Sequence, residues 1–224
     1  MKYLIDTANI EAIRYLNEYY PVAGVTTNPT LIAKENGDFW EIVKEIRNII
    51  GPEKMLHIQT VQKTAEKIVD EALLVKQTLG GNFYAKIPIC EESLKATKML
   101  KELGIGVTMT AIFTPAQALM AAKAGADFVA PYVNRLDNTI SDGVKVVEYI
   151  VEQFKNYNLD CQVLAASFTN AEQVHKCAVA GCHSVTIAPK IFESLIAHPM
   201  TEAAIEGFER DWEAVYGNKT IMDF

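Results

Sequence analysis

The chain is short of positive charge. Lys and Arg number 21 against 28 Asp and Glu, a formal net charge of −7. That balance argues against a nucleic-acid or anionic-membrane surface. An anionic substrate must then be held by local donors rather than by the global field. No stretch approaches the roughly 20 apolar residues that a membrane span needs. The N-terminus, Met1-Lys2-Tyr3-Leu4-Ile5-Asp6, reaches a carboxylate too early for a signal peptide. A soluble, cytoplasmic protein is expected. The four cysteines (Cys90, Cys161, Cys177, Cys182) include no Cys-x-x-Cys pair and read as structural thiols. The four histidines lack His-x-His, His-x-x-x-His and His-Glu-x-x-His spacing, which weakens any zinc site. No Gly-x-Gly-x-x-Gly follows the first strand-like run, which counts against a dinucleotide fold. No metal or organic cofactor is expected.

What is present is a strict alternation. Half of the 224 residues are hydrophobic, enough for one domain over residues 1–224. Eight short strand-like runs fall near 4–6, 24–27, 55–59, 83–88, 106–110, 128–132, 162–166 and 184–187. Each precedes a helical pattern: from about 9, then 39–50, 64–80, 91–103, 115–124, 143–154, 170–180 and 189–197. Asn28 is suited to cap a helix whose first residue is Pro29. Alternation of this kind requires a parallel sheet with right-handed crossovers, and eight units suggest a closed (β/α)8 TIM barrel. A doubly wound open sheet is the other solution. An additional C-terminal helix is predicted over 200–216, with an apolar stripe of Ile205, Phe208, Trp212 and Val215. It can pack on its own barrel or cover a neighbouring subunit.

One lysine interrupts an apolar strand, Phe83-Tyr84-Ala85-Lys86-Ile87-Pro88. A buried ammonium costs several kcal/mol by effective estimates, so such a lysine sheds its proton or finds a partner. Without its proton it is a nucleophile for carbonyl carbon. The plain alternative is a gatekeeper lysine on an exposed edge strand. Alternate barrel residues point inward. With Lys86 inward, Phe83, Ala85 and Ile87 face the helices. The same reading turns Asp6, Gln59 with His57, Thr108 with Thr110, and Tyr132 inward. Asp6, Thr26, Asn28, Gln59, Lys86, Thr110, Tyr132, Arg135 and Ser167 then gather at the C-terminal rim, where barrel active sites lie. So many polar groups on one rim would be costly for a purely structural core.

The motifs Asp6-Thr7-Ala8, Gly24-Val25-Thr26-Thr27-Asn28-Pro29, Ala85-Lys86-Ile87-Pro88, Ala130-Pro131-Tyr132-Val133-Asn134-Arg135 and Ala165-Ala166-Ser167-Phe168 resemble the small transaldolase family, in its fructose-6-phosphate aldolase branch. The resemblance spans essentially the whole chain. It implies a circularly permuted class I aldolase barrel and an aldehyde-lyase that joins or splits dihydroxyacetone and an aldehyde such as glyceraldehyde 3-phosphate. In it, Lys86 matches the Schiff-base lysine and Asp6 the carboxylate that assists proton transfer. Tyr132, Gln59 and Thr110 match the groups that hold the catalytic water. Thr26 and Asn28 match donor-contacting positions, and Arg135 and Ser167 the distal anion site. Thr108 is assigned to the substrate-binding set. A homo-oligomer, pentamer or decamer, is implied, with the terminal helix reaching a neighbour.

Family transaldolases typically carry Glu, Phe and Asn where this chain has Gln59, Tyr132 and Thr108, so the resemblance favours aldolase over transaldolase. The family often has Arg or Lys two residues after the matched serine, where this chain has Thr169. A weaker phosphate preference is expected, with an unphosphorylated aldehyde or another sugar anion such as a sulfonate in view. Two other functions fit the residues: an isomerase or epimerase using Asp6 and Tyr132 as acid and base, and a non-catalytic binding or assembly barrel.

Overall fold

The computed structural model describes residues 1–224. In chain order the elements are β1 (Lys2–Asp6), α1 (Ile10–Tyr19), β2 (Val22–Thr26), α2 (Pro29–Lys34), α3 (Phe39–Ile50), β3 (Met55–Gln59), α4 (Ala65–Leu79), β4 (Phe83–Pro88), α5 (Glu91–Glu102), β5 (Gly106–Ile112) and α6 (Pro115–Lys123). Then come β6 (Phe128–Pro131), α7 (Val133–Asp137), α8 (Gly143–Asn156), β7 (Gln162–Ala165), α9 (Ala171–Val179), β8 (Ser184–Ile187), α10 (Pro189–Ile196) and α11 (Pro199–Tyr216). The eight strands pair in parallel in sequence order, and β8 returns to β1, so the sheet is a closed (β/α)8 barrel.

Local chemistry sets where the helices start. Asn9, Asn28, Asp38, Asp142 and Asn170 each accept a hydrogen bond from a backbone N–H in the first turn that follows. Such caps contribute about 1 kcal/mol each. Thr114 and Gln117 form a reciprocal capping box on α6. Pro29 occupies the first position of α2, where its missing N–H costs nothing.

Two apolar layers hold the barrel. The outward-facing strand residues, among them Ile5, Leu56, Ile58, Ala85, Ile87, Val107 and Met109, join the helices in one buried cluster of 44 residues. Full burial of each large aliphatic side chain contributes about 1.5–3 kcal/mol, so this layer can offset one costly inward cation. Inside the barrel, Leu4, Met55, Phe128 and Leu164 form a separate small plug. Above it the His57 ring stacks on Tyr84 and meets the edge of Phe128. Gly106 makes room there, since a Cβ at that position would lie 2.5 Å from the Tyr84 ring.

Two details depart from the sequence reading, and a third bears on its open choice for the terminal helix. The sixth strand ends at Pro131, because Tyr132 opens the short helix α7 and keeps only a single bridge to Ala166. The terminal helix begins at Pro199, with His198 as its cap. Its apolar stripe has no buried residue. Trp212, Tyr216 and Phe224 instead cluster on its outer surface, and the indole N–H donates to the Lys219 carbonyl at 2.7 Å.

Candidate functional site

The strand register explains how the site assembles. Gln59 pairs with Lys86 and Lys86 with Thr108 across β3, β4 and β5, so all three point inward. Two residues on, Pro88 pairs with Thr110. On the other flank Asp6 is level with Thr26, and Thr26 with His57.

Lys86 is 5% exposed. Its amine donates to the Thr27 carbonyl at 2.9 Å and makes no direct ion pair. Asp6 takes its hydrogen bond from the Thr26 hydroxyl at 2.7 Å. Thr26 has only one hydrogen to give, so the Thr186 hydroxyl, 2.6 Å away, donates to it in turn. A relay Thr186→Thr26→Asp6 therefore crosses β8, β2 and β1. Burial lowers the pKa of Lys86, and the nearby Asp6 carboxylate only partly opposes that shift. Burial likewise raises the pKa of Asp6 against the attraction of Lys86 and the Thr26 hydrogen bond. Both shifts favour an uncharged amine beside a carboxyl able to hold a proton, the pairing that carbonyl condensation requires.

Above this layer a cavity of about 380 Å3 opens at the C-terminal face, lined among others by Asn28, Gln59, Pro88, Tyr132 and Arg135. The Tyr132 hydroxyl accepts from Thr110 at 3.1 Å. Its ring is held edge-on by Phe113 at 5.5 Å and covered by the Arg135 guanidinium at 4.8 Å. Ser167 lies beside α7, its carbonyl accepting from the Asn134 N–H at 2.7 Å. Ala111, near the end of β5, and Ser167, just past β7, have φ of 56° and 61°. A non-glycine residue there costs about 1–3 kcal/mol, and such strain clusters at functional sites.

The structure thus brings together Asp6, Thr26, Asn28, Gln59, Lys86, Thr110, Tyr132 and Arg135, with Ser167 at the edge. Thr108 lies a layer lower. It is wholly buried, and its hydroxyl is 2.7 Å from His57 Nδ1, so it is occupied by the ring rather than offered to the cavity. Thr169 turns its hydroxyl onto Asn134 at 3.0 Å, while Gln173 bonds Asp137 at 2.6 Å. That rim carries no cation and is closed on itself where a second cation could have stood.

Sequence reasoning missed Thr27, Thr186 and Phe113. Thr27 acts through its carbonyl, which carries no residue-type signal. Thr186 was visible only as an inward polar residue on the eighth strand. No cluster of three His, Cys, Asp or Glu is placed to hold a metal ion. Burial raises the thiols of Cys161 and Cys182 to about 12 and 11, which leaves them protonated and unreactive near neutrality. No helix is long and apolar enough to cross a membrane.

Comparison with known proteins adds the following. A family model described as Transaldolase/Fructose-6-phosphate aldolase matches residues 3–220. A curated protein of Lachnoclostridium phytofermentans described as "Probable transaldolase" is 40% identical over 217 residues, covering 97% of this chain and 100% of that protein. Among solved structures, one titled "Native KDPGal structure" superimposes with TM-score 0.56 at 16% identity, over 83% of this chain and 81% of that one. A mandelate oxidase superimposes with TM-score 0.57 at 12% identity. The match covers 81% of this chain and spans 59% of the oxidase. These two likenesses are of fold alone.

Proposed function

The chain belongs to the transaldolase/fructose-6-phosphate aldolase family, and from that premise we propose that it is a class I aldolase whose Schiff base forms on Lys86. The substrate is a ketose such as fructose 6-phosphate, made from or split into dihydroxyacetone and an aldehyde such as glyceraldehyde 3-phosphate. The observation that carries this reading is the buried amine, lowered in pKa by burial and set near Asp6 under an open cavity.

In the cleavage direction the neutral Lys86 amine adds to the ketone carbon, and loss of water leaves an iminium ion. That cation draws the electrons of the adjacent carbon–carbon bond as it breaks, while the hydroxyl of the departing carbon gives up its proton. Asp6 takes this proton, and the Thr186–Thr26 relay keeps its carboxylate oriented. The resulting enamine is protonated at carbon, and water then hydrolyses the iminium. Tyr132, with Thr110 and Gln59, positions that water. Asn28 and Thr26 hold the hydroxyls of the three-carbon unit, and Arg135 and Ser167 the far end of the ketose.

Transfer of the three-carbon unit to a second aldehyde is the alternative, favoured by the name of the 40% identical relative. Gln59 and Tyr132 favour release to water instead. The two are separated by supplying fructose 6-phosphate alone. An aldolase releases dihydroxyacetone without an acceptor aldehyde, whereas a transaldolase turns over only when an acceptor is added. Sedoheptulose 7-phosphate and other ketoses extend the panel.

The whole chain is read as one domain, with α11 covering a neighbouring subunit of a pentamer or decamer. The exposed stripe of Ile205, Phe208 and Val215 supports this. Phe208→Glu should then reduce the native mass to that of the monomer, and an unchanged oligomer would refute it. The site is in the cytoplasm on this reading, and neither nucleic acid nor membrane takes part.

A further inference from the structure

His57 is explained neither by packing nor by the reaction scheme. Its ring is wholly buried. It stacks on Tyr84 with 4.7 Å between centroids and 12° between planes, and meets the edge of Phe128 at 5.4 Å. A phenylalanine would suit those neighbours, leaving only the Thr108 hydroxyl to find another partner. The imidazole strands a polar atom of its own: Nδ1 is 2.7 Å from the Thr108 hydroxyl, but Nε2 is buried without a partner. An orphaned group of this kind costs about 1–3 kcal/mol.

The shared bond fixes the tautomer. If Thr108 donates to Nδ1, the one stranded hydrogen is on Nε2. If Nδ1–H donates instead, both the threonine hydrogen and the Nε2 lone pair are stranded. The first arrangement leaves fewer orphans, so the N–H lies on Nε2. The bond runs from β3 to β5 and so bridges β4, where Lys86 follows Tyr84 by two residues on the inward face. Burial, and secondarily the charge of Lys86, hold the imidazole neutral with a pKa of about 3.

We propose that His57, locked by Thr108, is a positioning residue for Lys86, its neutral Nε2–H dipole opposing the ammonium form and keeping the amine nucleophilic. This rests on the reading of Lys86 as the Schiff-base lysine. The other titratable groups facing Lys86 and His57 are Asp6 from β1, Tyr84 from β4 and Tyr132 from the head of α7, with Arg135 stacked on Tyr132. Strands β2, β5 and β8 present Thr26, Thr108, Thr110 and Thr186, while β6 and β7 present apolar side chains and Gln162. Asp6 favours the ammonium, so His57 acts against it.

The test is the pH profile of cyanoborohydride trapping with dihydroxyacetone, measured beside kcat/KM. In His57→Phe the aromatic stack is kept, and the acid limb should move up by about half a pH unit or more, roughly a threefold loss below it. That loss should vanish at high pH, with KM little changed. His57→Gln, which keeps a side-chain N–H, should restore part of the shift. Thr108→Val should move the limb the same way by less. A stable variant with an unmoved limb would overturn the proposal. Imidazole 15N shifts of the unmutated protein should report Nε2 protonated and Nδ1 bare from pH 6 to 8. The opposite tautomer, or an imidazolium, would overturn it even if no variant folds. Absence of trapping in the unmutated enzyme would instead overturn the aldolase reading itself.

Discussion

Removing one oxygen atom should redirect the chemistry. In Tyr132→Phe the ring keeps its edge contact with Phe113 at 5.5 Å and its place under Arg135 at 4.8 Å. Only the hydroxyl is lost, together with the 3.1 Å bond from Thr110. For stability this is one hydrogen bond at a half-buried position, about 0.5–1.5 kcal/mol, a fall of roughly 1–6 °C in Tm for a chain of this size. For chemistry the loss is larger, because a group that positions or protonates in the transition state contributes about 10²–10⁴-fold. Gln59→Glu adds a carboxylate to the same cavity wall. The double variant should release dihydroxyacetone from fructose 6-phosphate at least about 10²-fold more slowly, while transfer to an added aldehyde persists or rises. A coupled assay for dihydroxyacetone, run with and without acceptor, reads both. Release at the unmutated rate would refute the assignment of Tyr132 and Gln59 to the water.

Lys86→Met should abolish turnover yet leave the fold as stable or more so near neutrality, since it removes a buried amine of similar length. The folded pKa of Lys86 lies below its unfolded value of 10.5, so the unfolded state binds more protons between the two. The stability of the unmutated protein should therefore rise through that window, and the advantage of Lys86→Met in urea unfolding should shrink as pH nears 10.5. Arg47→Ala should cost about 3 kcal/mol in the same assay: its buried guanidinium donates to the carbonyls of Gly51, Lys54 and Asn82, and hydrogen bonds to charged groups contribute about 1.5–3 kcal/mol each before water refills the gap. Activity per folded molecule should not change. Thr169→Lys should open that rim and add one charge-assisted contact, lowering KM for a phosphorylated aldehyde about tenfold or more relative to its unphosphorylated counterpart. An unchanged ratio would show that residue 169 does not face the anion.

The barrel was legible because strands of period two, capped helices and Gly or Pro breaks agree with one another along the chain. Lys86 was legible because its strand neighbours are apolar, which leaves an inward lysine nowhere to hide its charge. Helix α7 was not, because five residues after Pro131 are too few to establish a period. The bond between His57 and Thr108 joins residues 51 apart across an intervening strand, and only the register of the closed sheet reveals it. The same bond explains why Thr108 does not reach the cavity although its side chain points inward as expected. Arg47 sits on an amphipathic helix where a cation ordinarily reads as exposed, and its burial follows from carbonyls of two separate connections. The positive φ of Ala111 and Ser167 has no counterpart in residue type.

The most direct measurement is the mass of the protein after borohydride reduction in the presence of dihydroxyacetone, followed by peptide mapping. One reduced three-carbon adduct should appear, located on Lys86 and absent from Lys86→Met. An unmodified chain, or an adduct on a surface lysine alone, would contradict the account.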